Sequence, residues 1–147
     1  ERVPPHQGLF AATGASHAAA AFDADGDVSL VREDIGRHNA VDKVVGRLLL
    51  DGALPAAGLG LYVSGRASFE IVQKAWAAGF GTVVAVSAPS SMAVAAAHLA
   101  GLTLCGFARD GQMNVYAPER PAPPSPAAAP TSSDADTADV SGGHGAA

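Results

Sequence analysis

Residues 59–107 read LGLYVSGRASFEIVQKAWAAGFGTVVAVSAPSSMAVAAAHLAGLTLCGF. Three short apolar runs, Leu59–Val63, Thr82–Val86 and Leu102–Phe107, have strand length and composition. Between them lie two stretches of helical period. In the first, from about Ser68 to Ala78, Ile71, Val72, Ala75 and Trp76 fall on one inward stripe, and Gly79 terminates it. Ser68 suits the N-cap, and Glu70 sits in the first turn, where negative charge is favoured. The second is Ala-rich, is capped by Ser90 or Ser91 and is closed by Gly101. Thr82–Val86 is apolar throughout, as in a strand covered on both sides. Strand–helix–strand–helix–strand implies a largely parallel sheet with helices on both faces, an α/β protein of three-layer α/β/α type.

Working outward, His17–Phe22 and Val28–Arg32 read as an antiparallel pair around the turn Asp23-Ala24-Asp25-Gly26-Asp27. That turn is no EF-hand loop, because Val28 occupies the sixth position, where a Gly is needed. Residues 37–50 follow a helical period, with Ala40, Val41, Val44, Val45, Leu48 and Leu49 on one face and Asp51-Gly52 as the stop. Residues 53–58, with Pro55, form a connector. Asp110-Gly111 turns the chain into a last short strand, Met113–Tyr116. The leading hairpin and the last strand are expected at the sheet edges. Residues 1–12 read as a connector, 13–117 as the domain, and 118–147, rich in Pro, Ala, Ser and Asp, as a disordered tail.

The net charge is −5 over 147 residues. Residues 1–118 hold 8 Lys/Arg against 10 Asp/Glu, and residues 119–147 hold Arg120 against Glu119, Asp134, Asp136 and Asp139. The folded part is nearly neutral and its basic residues form no run, which argues against nucleic acid as a partner and leaves room for a small anion. No apolar run is long enough to span a membrane and no signal peptide is visible, so a cytoplasmic protein is expected. A chain opening on Glu1 reads as a processed product or a fragment. The single Cys excludes an internal disulfide and a Cys-cluster metal site. Cys105, inside an apolar run, reads as a small buried hydrophobe.

The polar residues gather at strand-to-helix junctions, where α/β proteins place function. These are Arg32–Lys43, Ser64-Gly65-Arg66-Ala67-Ser68 and Ser87-Ala88-Pro89-Ser90-Ser91, and all three are expected to face one site. Helix N-termini offer unpaired N–H groups to anions. Gly65 would admit a ligand close to the backbone, and Arg66 could bind an oxyanion bidentately. Ordinary Ser caps and a solvated Arg explain the same residues. His38 and Asn39 have polar company that suits a site, while His17 reads as a packed, hydrogen-bonded side chain. Glu33 and Asp34 could orient Arg37 or His38, or form a solvated pair of little energy. Lys43 and Arg47 read as a solvated helix face. No nucleophile elbow, Walker loop or Gly-x-Gly-x-x-Gly fingerprint is present.

Several of these segments together resemble the FdhD family, the accessory sulfur carriers of formate dehydrogenase. They are Glu33-Asp34-Ile35-Gly36-Arg37-His38-Asn39-Ala40-Val41-Asp42-Lys43, Ser64-Gly65-Arg66-Ala67-Ser68-Phe69-Glu70, Ser87-Ala88-Pro89-Ser90-Ser91 and Asn114-Val115-Tyr116. Thr13-Gly14-Ala15-Ser16-His17-Ala18-Ala19 resembles the family's Thr-Gly-Gly-x-His-Ala-Ala, with Ala15 replacing the second Gly. The resemblance runs from about Leu9 to Tyr116. It implies a cytidine-deaminase-like fold, a homodimer, and a sulfurtransferase that takes sulfur from a cysteine desulfurase. The sulfur passes to the molybdenum bis(molybdopterin guanine dinucleotide) cofactor, for which GDP is a mimic. Phe107, Ala108, Arg109, Asp110, Gly111 and Gln112 match the family's cofactor-contacting stretch. The family's sulfur-carrying cysteine lies in a Cys-x-x-Cys loop upstream of Thr13, and Cys105 does not replace it. On this reading the chain is a C-terminal part with a cofactor-binding role and no catalytic cysteine. The alternative is a non-catalytic module that binds a guanine-nucleotide cofactor and delivers it to a partner enzyme. Zinc deaminase chemistry is excluded, since His17 is followed by Ala18-Ala19 and no second Cys exists.

Overall fold

A computed structural model of the chain describes residue 3 and residues 7–118. The elements in order are α1 (Gly8–Thr13), β1 (His17–Phe22), β2 (Val28–Asp34), α2 (Arg37–Leu50), β3 (Gly60–Val63), α3 (Phe69–Ala77), β4 (Thr82–Ala85), α4 (Ser91–Ala100), β5 (Thr103–Arg109) and β6 (Gln112–Ala117). The six strands form one sheet in the order β2-β1-β3-β4-β5-β6. β3, β4 and β5 pair in parallel. β1 is antiparallel to both β2 and β3, and β6 is antiparallel to β5. β2 therefore shares its direction with β3–β5, so four strands run one way and β1 and β6 run against them. The leading hairpin and the last strand build the two edges, as the sequence leads one to expect. The expected tail beyond Pro118 lies outside the described residues.

Each parallel step, β2 to β3, β3 to β4 and β4 to β5, moves across the sheet in the same sense. Right-handed crossovers taken in one sense place their helices on one face. α2, α3 and α4 accordingly share a single core with Ala19, Ala21, Leu61, Val63, Val83, Ala85 and Leu104. The opposite face carries a smaller cluster, in which Val3, Ala18 and Ala20 pack with Val28, Val31 and Tyr62. The exposed helix α1 adjoins that side, where its Phe10 lines one cavity with Tyr62. Three helices thus pack on one face, and the short, exposed α1 stands toward the other.

The local chemistry explains the elements. Ala19 and Ala21 are fully buried, and such small side chains let α2 lie close on β1. Leu61, Ile71, Phe80, Leu102 and Leu104 are also wholly buried, and each contributes about 1.5–3 kcal/mol of transfer energy. Gly101 takes a left-handed φ of 62° to end α4. Gly60 is needed for a different reason, because a Cβ there would stand 2.2 Å from Cζ of Phe22, whose ring lies across it.

Three local expectations change. α1 forms within the stretch read as connector, because Glu33, 23 and 24 residues on, accepts the amides of Phe10 (2.9 Å) and Leu9 (2.8 Å) at its start. Trp76 is 57 % exposed instead of inward, and Leu49 is 64 % exposed. Both lie at the margin of their apolar stripe, beyond the arc that the sheet covers.

Candidate functional site

Because β2, β3, β4 and β5 run together, the junctions that follow them emerge at one edge of the sheet. β1 begins at that same edge, since it runs the other way. The edge therefore collects His17, the start of α2, the loops Ser64–Ser68 and Val86–Ser90, and the tip of the β5–β6 hairpin. The two loops continue the parallel ladder beyond the strands. Val86 N–H donates to Val63 O (3.1 Å), Ser87 N–H to Gly65 O (3.3 Å) and Ser90 N–H to Ala67 O (3.0 Å). Phe107 N–H then donates to Ser87 O (3.3 Å), tying the hairpin to the same row. The lining is backbone-bonded and hence stiff.

Gly65 sits between two side chains. A Cβ on it would lie 3.3 Å from Cδ of Arg37 and 3.4 Å from Nδ1 of His17. Ser64 Oγ accepts the Ala18 amide (2.9 Å) and stands 3.4 Å from His17 Nδ1. His17 thus has the hydrogen-bonded surroundings read from its sequence position, and it also lines a cavity of about 420 Å3 with Phe10, Ser16, Tyr62 and Val86 beneath α1. Burial pushes the Tyr62 phenol pKa up. Partial desolvation pushes the Glu33 carboxyl up, but hydrogen bonds from Leu9, Phe10 and Ser16 outweigh it and hold the group below its ordinary value.

The start of α2 is mostly occupied with itself. Asp34 accepts from Lys43 Nζ (2.7 Å), the Gly36 amide (2.9 Å) and Asn39 Nδ2 (3.1 Å). The Lys43 ammonium, then the Gly36 and Asn39 bonds, hold the Asp34 carboxyl at about 2. Lys43 also donates to Glu33 O. The sequence reads Lys43 and Arg47 as merely solvated, yet each has a carboxylate partner, Asp34 and Asp51. His38 Nε2 is 3.0 Å from Ser68 Oγ and 3.9 Å from Glu70. Ser68 occupies the N-cap of α3 but accepts no cap bond. Glu70 is held below its ordinary pKa by its own backbone amide and then by Ser68, with His38 and Arg37 adding attraction.

Arg37, which the sequence places in the Arg32–Lys43 junction without a role of its own, stands at this edge. Its Nε is inaccessible and has no hydrogen-bond partner among the described residues. With Arg66 it lines a pocket of about 300 Å3 against Ser68, Ala88, Pro89 and Ser90. The signal available in sequence was its place at the first turn of a helix that follows a strand. Further along the edge, Phe107, Arg109, Asp110, Gln112, Met113 and Asn114 line a pocket of about 360 Å3. Asp110 (φ 53°) and Gly111 (φ 73°) make the two-residue hairpin turn. Phe107 has φ 54° at a bulge between Gly106 and Arg109, a strained conformation for an aromatic residue and one that clusters at functional sites. Cys105 is 4 % exposed and packs within β5. Among the described residues no cluster of His, Cys, Asp and Glu could hold a metal ion, and no helix is long and apolar enough to cross a membrane.

The family model for FdhD/NarQ matches residues 1–121. The chain belongs to the FdhD/NarQ family. It is 56 % identical over 119 residues to the sulfur carrier protein FdhD of Streptomyces avermitilis, covering 81 % of this chain and 42 % of that protein. It is also 56 % identical over 115 residues to the sulfur carrier protein FdhD of Thermoplasma acidophilum, covering 78 % of this chain and 40 % of the relative. A crystal structure assigned as a formate dehydrogenase accessory protein, from Desulfotalea psychrophila, matches with a TM-score of 0.72 at 35 % identity, covering 81 % of this chain and 51 % of that one. The chain thus spans about two-fifths of the length of these curated FdhD relatives.

Proposed function

We propose that this chain is the cofactor-binding part of an FdhD-type sulfur carrier that serves formate dehydrogenase. The full-length protein would receive sulfur from a cysteine desulfurase and pass it to the molybdenum bis(molybdopterin guanine dinucleotide) cofactor, its substrate. The observation that carries this reading is the convergence on one sheet edge. The segment Phe107–Gln112, with its strained Phe107 and outward Arg109, is bonded through Ser87 to the loop of Ser64, Gly65 and Arg66. A bidentate guanidinium beside a Gly turn fits a nucleotide phosphate. His38 and Asn39 flank that edge; their side chains bond Ser68 and Asp34 and so set its shape.

Cys105 is the chain's one cysteine, and its burial leaves it unsuited to carry a persulfide, which needs an accessible thiolate. That favours a sulfur-bearing cysteine elsewhere in the full-length protein, with cofactor binding as the role of these residues. It also supports the second reading, a module that binds and hands over a guanine-nucleotide cofactor without chemistry of its own. Calorimetry with GDP on the 147-residue chain tests the binding step shared by both. Binding is expected, with Arg109→Ala weakening it at least ten-fold. A folded chain that ignores GDP would sink both readings for these residues. A full-length protein that still restores formate dehydrogenase after loss of its upstream cysteines would leave only the second.

A further inference from the structure

We infer that the sheet face turned away from α2, α3 and α4 is a docking surface for the upstream part of the full-length protein. The inference does not depend on cofactor binding. Along β1, β3, β4 and β5 the core residues alternate with Ala20, Tyr62, Val84 and Cys105. Successive strand residues point to opposite faces, so these four point away from the helices. The strand register joins them into one row. Val31 pairs with Ala20, Ala20 with Tyr62, Tyr62 with Val84, Val84 with Cys105 and Cys105 with Val115. Six strands about 4.8 Å apart make this row about 24 Å long. No charged residue interrupts it, and the Phe22 ring lies across Gly60 on the same face.

A sheet buries such a face against a second layer, and an apolar face left open marks an interaction surface. Among the described residues that layer stands at one end only. Val3 is 5 % exposed and packs with Ala18, Ala20, Val28, Val31 and Tyr62, and Phe10 of α1 lines a cavity with Tyr62. At the far end Val115 is 63 % exposed, and Val84 between them is partly exposed. Cys105 is buried, a short side chain set between Val84 and Val115.

Two observations name the occupant. Val3, near the start of the chain, is already seated on this face, so the chain reaches the domain across it. The matched part is 42 % of the Streptomyces avermitilis protein and 40 % of the Thermoplasma acidophilum one, which leaves more than half of each to supply a covering layer. Residues 119–147 are a poor alternative, because Val140 is their one residue among Val, Leu, Ile, Met, Phe, Tyr and Trp. A second copy would meet Val3 and α1 already standing at one end.

The test replaces Val115 with the photo-crosslinking residue p-benzoylphenylalanine in the full-length protein, with folding checked by circular dichroism. Leu99, 91 % exposed on α4, takes the same probe as a control. Mass spectrometry is expected to find crosslinks from position 115, and not from position 99, to residues upstream of Glu1. Crosslinks from position 115 to a second copy or to residues 119–147 would overturn the inference, as would a probe that reacts only within β5 and β6. A second measurement needs no bulky probe. Val115→Cys should react with a maleimide at least ten-fold more slowly in the full-length protein than in the 147-residue chain, read on the peptide that holds it, while Leu99→Cys reacts equally in both. Equal rates for Val115→Cys, or protection that vanishes on dilution to a monomer, would also overturn it.

Discussion

The junction after β2 and the loops after β3 and β4 stand at the same edge of one sheet, and they treat charge in opposite ways. After β2 nearly every charge is answered from within. Glu33 holds α1, Asp34 holds Lys43, Gly36 and Asn39, and Lys43 reaches back to Glu33 O. After β3 and β4 the cations are few, and Arg37 and Arg66 remain unanswered. Dense charge is thus bonded within the chain here, and the cations without a carboxylate partner lie beside the candidate site. Arg37 belongs to the first region by sequence and to the second by where its side chain goes.

Three substitutions would break or sharpen that contrast. Phe80 is fully buried in the core that α2, α3 and α4 share, and Phe80→Ala should cost about 3–5 kcal/mol of the stability on which both regions depend. Chemical denaturation checks this, and a loss below about 1 kcal/mol would show that the regions do not share one core.

Asp34 is the next largest. Its carboxyl is held at about 2 against an ordinary 3.8, so its contribution is present above pH 4 and is lost as pH falls from there through 2. Asp34→Asn should lower Tm near neutral pH. The gap to wild type should close as pH drops through that window, while GDP affinity at pH 7 stays within about three-fold, a shift of under 1 kcal/mol. A gap that does not depend on pH would remove the Lys43–Asp34 pair as its cause.

The smallest effect belongs to Glu33→Gln. α1 is exposed, so global stability should move little, but the Leu9 and Phe10 amides lose their carboxylate acceptor. Hydrogen exchange at those two positions should quicken, with the core of α2 unchanged. Equal exchange in both proteins would mean that α1 is held by something other than Glu33.

Much of the fold was legible in the sequence because its signals were local. α2 runs from Arg37 to Leu50, the span that its apolar period and Asp51-Gly52 mark out, and α4 ends at Gly101 as expected. What escaped depended on contacts across the sheet. α1 needs a cap from Glu33, far along the chain. The side on which the helices lie follows from strand order, which periodicity does not encode. Trp76 and Leu49 carry the right spacing for burial, but the width of the covered arc is set by neighbouring elements. At the site, Ser64, Gly65, Arg66 and Ser87 could be named as junction residues, and Phe107–Gln112 by resemblance. The unpartnered Arg37 Nε could not, since such a nitrogen becomes visible only when every neighbour is known.

The Phe22 ring lying across Gly60 has an evolutionary corollary. With a Cβ at residue 60 placed 2.2 Å from that ring, any side chain there requires the ring to swing aside or a smaller residue to stand at 22. The two positions should therefore vary as a pair across homologues, glycine with an aromatic partner or a larger residue with a slighter one. A redesign of this sheet that alters either position alone would be working against its partner.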